Sequence, residues 1–257
     1  MEKCGRFSKL EVGEAKPEKK ASADIFEEER GADYYKEAAR QCYYEGDYEG
    51  GLRYYSRVLE FDCNELESWL GQVRCLVELD ELKEADTWCG KALERFVDNP
   101  ELLATKAIVH SRMGDFTRAK AYSDTSLEKE TSSPYVWLAR GEVFLASRGR
   151  NAEYCFHKGI TENPKDWFLY FGIAKICMYY TKISLASKYF VRALELNTSS
   201  PFLYLQAGKC YQALGVYKSA YSCYKQALVL KPNYSEADGA FRNLTSRGFF
   251  DRLFRRG

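Results

Sequence analysis

Side chains able to do bond-making chemistry are sparse in this chain. There are only two histidines, His110 and His157, and the nine cysteines include no CxxC pair. A zinc site needs several Cys or His ligands converging on the ion, and acid–base catalysis most often rests on a histidine with an ordered partner. The sequence places neither histidine in such company, so no metal site, no cofactor and no catalytic residue is expected, and the chain reads as a non-enzyme. The residues in excess are of another kind: 20 Tyr, 15 Phe and 4 Trp, beside 38 Lys and Arg. Rings and spaced cations are the chemistry of recognition, where they hold apolar anchors and acidic groups of a bound segment.

The elements that carry these rings follow from a 34-residue period. Six segments align, at 32–65, 66–99, 100–133, 134–166, 167–200 and 201–234, the fourth one residue short. One column reads Gly51, Ala85, Ala119, Ala152, Ala186, Ala220, and another Val58, Ala92, Ser126, Gly159, Ala193, Ala227. Between and beside them run Leu59, Leu93, Leu127, Ile160, Leu194, Leu228 and the bulky Tyr35, Trp69, Leu103, Trp137, Tyr170, Tyr204. Small residues let two helices approach, and large ones fill the space beside the contact. Gly46-Asp47, Gly114-Asp115 and Gly215 divide three units in two, and Pro100, Pro134, Pro164, Pro201 and Pro232 mark breaks between units. Proline is accepted in the first turn of a helix and not inside it, so each unit reads as helix, turn, helix, turn.

These columns, with Gly46-Asp47-Tyr48, Gly114-Asp115-Phe116, Ala193-Leu194-Glu195-Leu196 and the run Gly208, Tyr211, Gly215, Ala220, Tyr224, Ala227-Leu228, Pro232, resemble the tetratricopeptide repeat over about four-fifths of the chain. The resemblance implies an all-α fold: a right-handed superhelix of six helix-turn-helix repeats closed by a capping helix at 235–247, where Ala237, Ala240, Phe241 and Leu244 share one face. Ser147-Arg148-Gly149-Arg150 lacks the aromatic that normally follows the turn, which predicts a local distortion in the fourth repeat. Cys42, Cys75, Cys89, Cys155, Cys177, Cys210 and Cys223 fall on helix-packing columns and are expected to be inert apolar thiols. His110 is expected in the core and His157 on a helix surface.

The resemblance also implies function: a non-catalytic scaffold or adaptor that binds a partner peptide or helix in a concave groove lined by the first helix of each pair. Mapped on this sequence, the groove residues are Arg40, Tyr43 and Arg74, then Tyr135, Leu138, Phe168, Phe171, Lys175, Met178, Tyr179, Phe202, Leu205 and Lys209. One inner column reads Arg40, Arg74, Ile108, Glu142, Lys175, Lys209, four of six basic, so an acidic and apolar ligand is expected. The clamp by which some members of the family hold chaperone tails is not matched. Where it needs Lys and Asn, then Asn, then Lys and Arg, this chain offers Lys36 and Arg40, then Gly71, then Glu101 and Thr105. A recognition subunit of an enzyme or secretion complex is the alternative. An RNA-binding helical repeat is disfavoured, because no base-reading code recurs per unit.

Residues 1–31 read as a charged, disordered arm. At the other end, 248–257 form a basic aromatic tail. There Phe249, Phe250, Leu253 and Phe254 make a stripe beside Arg255 and Arg256 that suits a protein groove or, weakly, an anionic membrane. With no apolar leader after the first basic residues and an odd number of cysteines, a reduced, cytoplasmic protein is expected. The formal net charge of +1 hides a division. Residues 134–257 hold 18 Lys and Arg against 8 Asp and Glu, and the residues before them are acidic in net, which leaves head-to-tail self-association open.

Overall fold

The computed structural model describes residues 31–129 and 133–245. Among them are thirteen α-helices and no strand. The helices fall into two compact units. The first holds α1 (Ala32–Glu45), α2 (Tyr48–Phe61), α3 (Leu66–Glu78), α4 (Leu82–Arg95), α5 (Pro100–Met113) and α6 (Phe116–Glu128). The second holds α7 (Pro134–Ala146), α8 (Ala152–Glu162), α9 (Trp167–Tyr179), α10 (Ile183–Leu196), α11 (Pro201–Ala213), α12 (Tyr217–Leu230) and α13 (Ser235–Thr245). Within each unit, odd helices pack on their pair mates and on the odd helix of the next repeat. The N-terminal arm and the tail residues Phe249, Phe250, Leu253, Phe254, Arg255 and Arg256 lie outside the described residues.

The small columns have a direct cause. Ser126 donates its hydroxyl to the carbonyl of Pro100 at 2.7 Å, and a Cβ at Gly159 would sit 3.1 Å from the carbonyl of Pro134. In both repeats the second helix runs against the first residue of its mate, and a bulky side chain has no room there. Two members of the bulky column are tied at their polar tips. The indole of Trp69 donates to Cys63 O at 2.9 Å, and the hydroxyl of Tyr170 to Pro164 O at 3.2 Å. Each aromatic thus anchors its helix to the turn six residues earlier. The last face of the second unit is closed by α13, whose buried Ala237 and Leu244 pack on Ala220, Tyr224 and Ala227, with the ring of Phe241 on Tyr221.

The turn inside each repeat has one geometry in six sequences. Gly46, Gly114 and Gly215 take positive φ, and so do Asp80, Arg148 and Thr181 at the same column, with φ of 61, 57 and 57°. The missing residue of the fourth repeat falls just after Arg148. There α8 begins four residues past the left-handed position, where the other second helices begin two past it, and its N-cap Asn151 makes no side-chain hydrogen bond. The distortion is therefore a lost first turn of α8. A β-branched residue tolerates the left-handed region poorly, whereas Asn accepts it. Thr181→Asn is expected to stabilise the chain by about 0.5–1 kcal/mol. A thermal melt in which this variant is no more stable than the parent would remove strain as the account of that turn.

Candidate functional site

The candidate site lies on the inner helices of the second unit, α7, α9 and α11. Four of the residues left accessible on α9 follow helical spacing, Phe168, Gly172, Lys175 and Tyr179 at i, i+4, i+7 and i+11, with Trp167 and Met178 beside them. On α11 the matching stripe is Gln206, Lys209 and Ala213. Tyr179 is 47% exposed, while Phe168, Lys175, Met178, Tyr135 and Lys209 are half-buried. The ammonium of Lys175 lies 5.7 Å from the centre of the Phe171 ring. The face is thus a shallow aromatic strip with two cations, and at Gly172 the side chain of Leu138 closes in, a Cβ there standing 3.3 Å from its Cδ2. Gly172 and Gln206 are additions to the residues expected from sequence. Their signal was available in the i+4 spacing from Phe168 and Phe202.

Four residues expected in the groove are instead core. Phe171 is 1% exposed and Leu205 0%, and Leu138 and Phe202 are also buried. Phe171 sits in a cluster of rings, with centroids of Phe202 at 5.4 Å, Phe168 at 5.6 Å, Trp167 at 6.1 Å and Phe190 at 6.2 Å. An inner helix touches both its mate and the inner helix of the next repeat. That second contact takes side chains which single-helix periodicity assigns to the open face.

The basic column also departs from expectation. Arg40 reaches both carboxylate oxygens of Glu67, with Nη2 to Oε2 at 2.5 Å, and pairs more loosely with Glu37. Arg74 pairs with Glu101 at 2.5 Å, and Lys209 with Glu236 at 2.5 Å. In all three the acid lies 27 residues on, at the start of the next inner helix. Lys36 adds contacts to Glu65 at 2.7 Å and Glu67 at 3.0 Å. The hydrogen bond from Arg40 holds the Glu67 carboxyl below the usual carboxylate range. These cations act first as straps between repeats. Being partly solvated, each pair contributes about 0–1 kcal/mol. At the same interval from Lys175 stands Phe202, not an acid. Tyr43, the remaining expected residue of the first unit, is half-buried and meets the ring of Tyr48 edge-on at 5.5 Å.

Burial makes several helix-packed thiols unsuited to chemistry near neutral pH. Burial pushes Cys89 and Cys177 up to about 12, and Cys210 and Cys223 up to about 11. Cys42, expected fully packed, is half-buried, with its thiol also raised by burial. His110 is 3% exposed, stacked on Tyr122 at 5.3 Å, with Nε2 3.3 Å from Asp86. Burial lowers its pKa and outweighs the opposing pull of Asp86 and Asp115. His157 is exposed. Among the described residues no group of three or more His, Cys, Asp or Glu could hold a metal ion, and no helix is long and apolar enough to cross a membrane.

Comparisons with known proteins agree with this architecture. The tetratricopeptide repeat model matches residues 203–234. Human Superkiller complex protein 3 is 24% identical over 181 residues, which are 67% of this chain but only 12% of that relative's length. Among solved structures, the APC/C hetero-tetramer Cut9–Hcn1 aligns with a TM-score of 0.51 at 15% identity, over 84% of this chain and 43% of that one. A thermophilic repeat protein of Thermus thermophilus aligns with the same TM-score of 0.51 at 15% identity, over 83% of this chain and 98% of its own. At such identities the structural likeness speaks to fold alone. Residues 203–234 match the sequence model of the tetratricopeptide repeat, and the helix pairs before them share the fold of tetratricopeptide repeat proteins.

Proposed function

We propose that the inner face of the second unit binds a protein segment carrying apolar anchors and acidic groups, and that the chain is a non-catalytic adaptor of the cytoplasm. The observation that carries this reading is the strip Phe168, Lys175, Met178 and Tyr179, where rings and a cation stay accessible on a helix whose other faces are buried. Apolar anchors would settle on Phe168 and Tyr179, and a carboxylate would meet Lys175. The buried ring of Phe171 supports that lysine from beneath, so its charge is presented from a fixed base. A place as recognition subunit of a larger assembly is the second reading, favoured by the human relative, which is named as part of a complex.

The test replaces surface residues only. The double variant Lys175→Glu/Tyr179→Ala is expected to keep its helical circular dichroism. It should lose at least about tenfold in affinity, roughly 1.4 kcal/mol, for partners captured by the parent chain and then purified. An unchanged partner set with unchanged affinities would sink the groove reading. Lys209→Glu is a poorer probe, because it also removes the strap to Glu236 on α13.

A further inference from the structure

The turns joining first to second helices lie along one edge of each unit, because the inner helices stack side by side in the same direction. That edge carries opposite charge in the two units. On the first two of the three turns of the first unit stand Asp47, then Asp80, Glu81 and Glu84 with Lys83 among them, while on the third Asp115 pairs with Arg118 at 3.5 Å. Asp47 caps Gly50 N at 2.9 Å and is exposed, and Asp80, Glu81 and Glu84 make no salt bridge among the described residues. On successive turns of the second unit stand Arg148 and Arg150, then Lys182, then Lys218. All four are exposed and make no salt bridge among the described residues. The inner-face cations Arg40, Arg74 and Lys209 are matched by acids of their own chain. Here the compensation is missing, and a row of exposed like charges repels itself unless something opposite covers it.

The basic edge also has relief. A hollow of about 480 Å³ opens between its first two turns, lined by Arg150, Glu153, Thr181, Lys182 and Ser184 beside the apolar Leu145. It has room for an acidic side chain and its methylenes, and Glu153 is the single acid on its wall.

We propose that this edge is a self-recognition surface whose occupant is the acidic edge of the first unit in a second copy of the chain. Both edges are made of turns that share a left-handed residue, the one bearing Arg148 and Arg150 being the distorted turn, so charges on successive turns of one meet opposite charges at the repeat spacing on the other. The two surfaces are unlike and one chain carries both, so the contact either closes reciprocally between two copies or continues into rings or chains. It rests on long-range attraction between solvated groups and weakens as salt shortens the Debye length. It does not depend on the inner face of α9.

Sedimentation of the full chain over a range of concentrations tests it. At about 30 mM salt the weight-average mass is expected to rise with concentration, and at about 300 mM to return to that of one copy. Arg150→Glu/Lys182→Glu/Lys218→Glu and, separately, Glu81→Lys/Glu84→Lys should each weaken association at least about tenfold with unchanged helicity, and mixing the two reversed variants should restore it. Single-copy sedimentation of the parent at low salt would overturn the proposal, as would association that survives either reversal or a mixture that stays apart. Were the parent to stay single yet bind a deca-glutamate peptide through Arg150 and Lys182, the edge would belong to an acidic partner and self-recognition would be wrong. The variant Lys175→Glu/Tyr179→Ala should associate like the parent, which separates this outcome from that of the inner face.

Discussion

Phe171→Ala is expected to cost about 3–5 kcal/mol. The ring is 1% exposed and touches the rings of Trp167, Phe168, Phe190 and Phe202 from three different helices, α9, α10 and α11. None of these can collapse into the space without breaking its own contacts, so most of the cavity stays open and the upper part of the range applies. Urea denaturation followed by circular dichroism measures the loss, and a cost below about 1 kcal/mol would return Phe171 to the open face, where a truncated ring merely becomes more solvated. Phe168→Ala is the comparison. Its ring is half-buried, so stability should fall by less while partner binding falls by more. The pair separates a core residue from a binding residue three positions away on the same helix.

Gly208→Ala should also destabilise, by about 1–3 kcal/mol, although Ala is the better helix former by about 1 kcal/mol. A Cβ at position 208 would lie 2.5 Å from the ring of Tyr224, which is 1% exposed and held by its hydroxyl donating to Gln212 at 2.7 Å. The ring has nowhere to go: Leu205, Ala220, Ala227 and Ala237 belong to the same buried cluster. Gly141 meets Phe156 in the same way at 2.2 Å. If steric crowding is the cause, Gly208→Ala combined with Tyr224→Leu should recover stability relative to the two single changes summed. Strict additivity would leave the close approach without energetic meaning.

Elements made by local chemistry were legible in the sequence. Gly46 and Gly114 announce a left-handed turn, Pro100, Pro134 and Pro201 a first helical turn, and Ser126 and Gly159 a place where a neighbour's backbone passes. What a single helix cannot reveal is which side of it the next repeat covers. Phe171 and Tyr179 share the inner face by periodicity, yet one is core and the other open, because the neighbouring helix brings Phe202 to one and Ala213 opposite the other. The straps were missed for a different reason. Arg40 with Glu67, Arg74 with Glu101 and Lys209 with Glu236 are separated by an interval shorter than the repeat, so columns aligned at the repeat length never place the partners together. Thr181 was hidden because a left-handed residue without glycine has no compositional mark.

The straps bear on how the array comes apart. In a one-dimensional array, stability divides into what each repeat holds alone and what each junction adds. The junctions from α1 to α3 and from α3 to α5 are bridged by solvated ion pairs, whereas that from α9 to α11 is filled by Phe171 against Phe202. Ion pairs fade with added salt, while apolar junctions are strengthened by excluded salts and weaken on cooling. Ionic strength and temperature therefore act on different joints of the same chain, and the order in which repeats fray is set by the solvent as much as by the sequence.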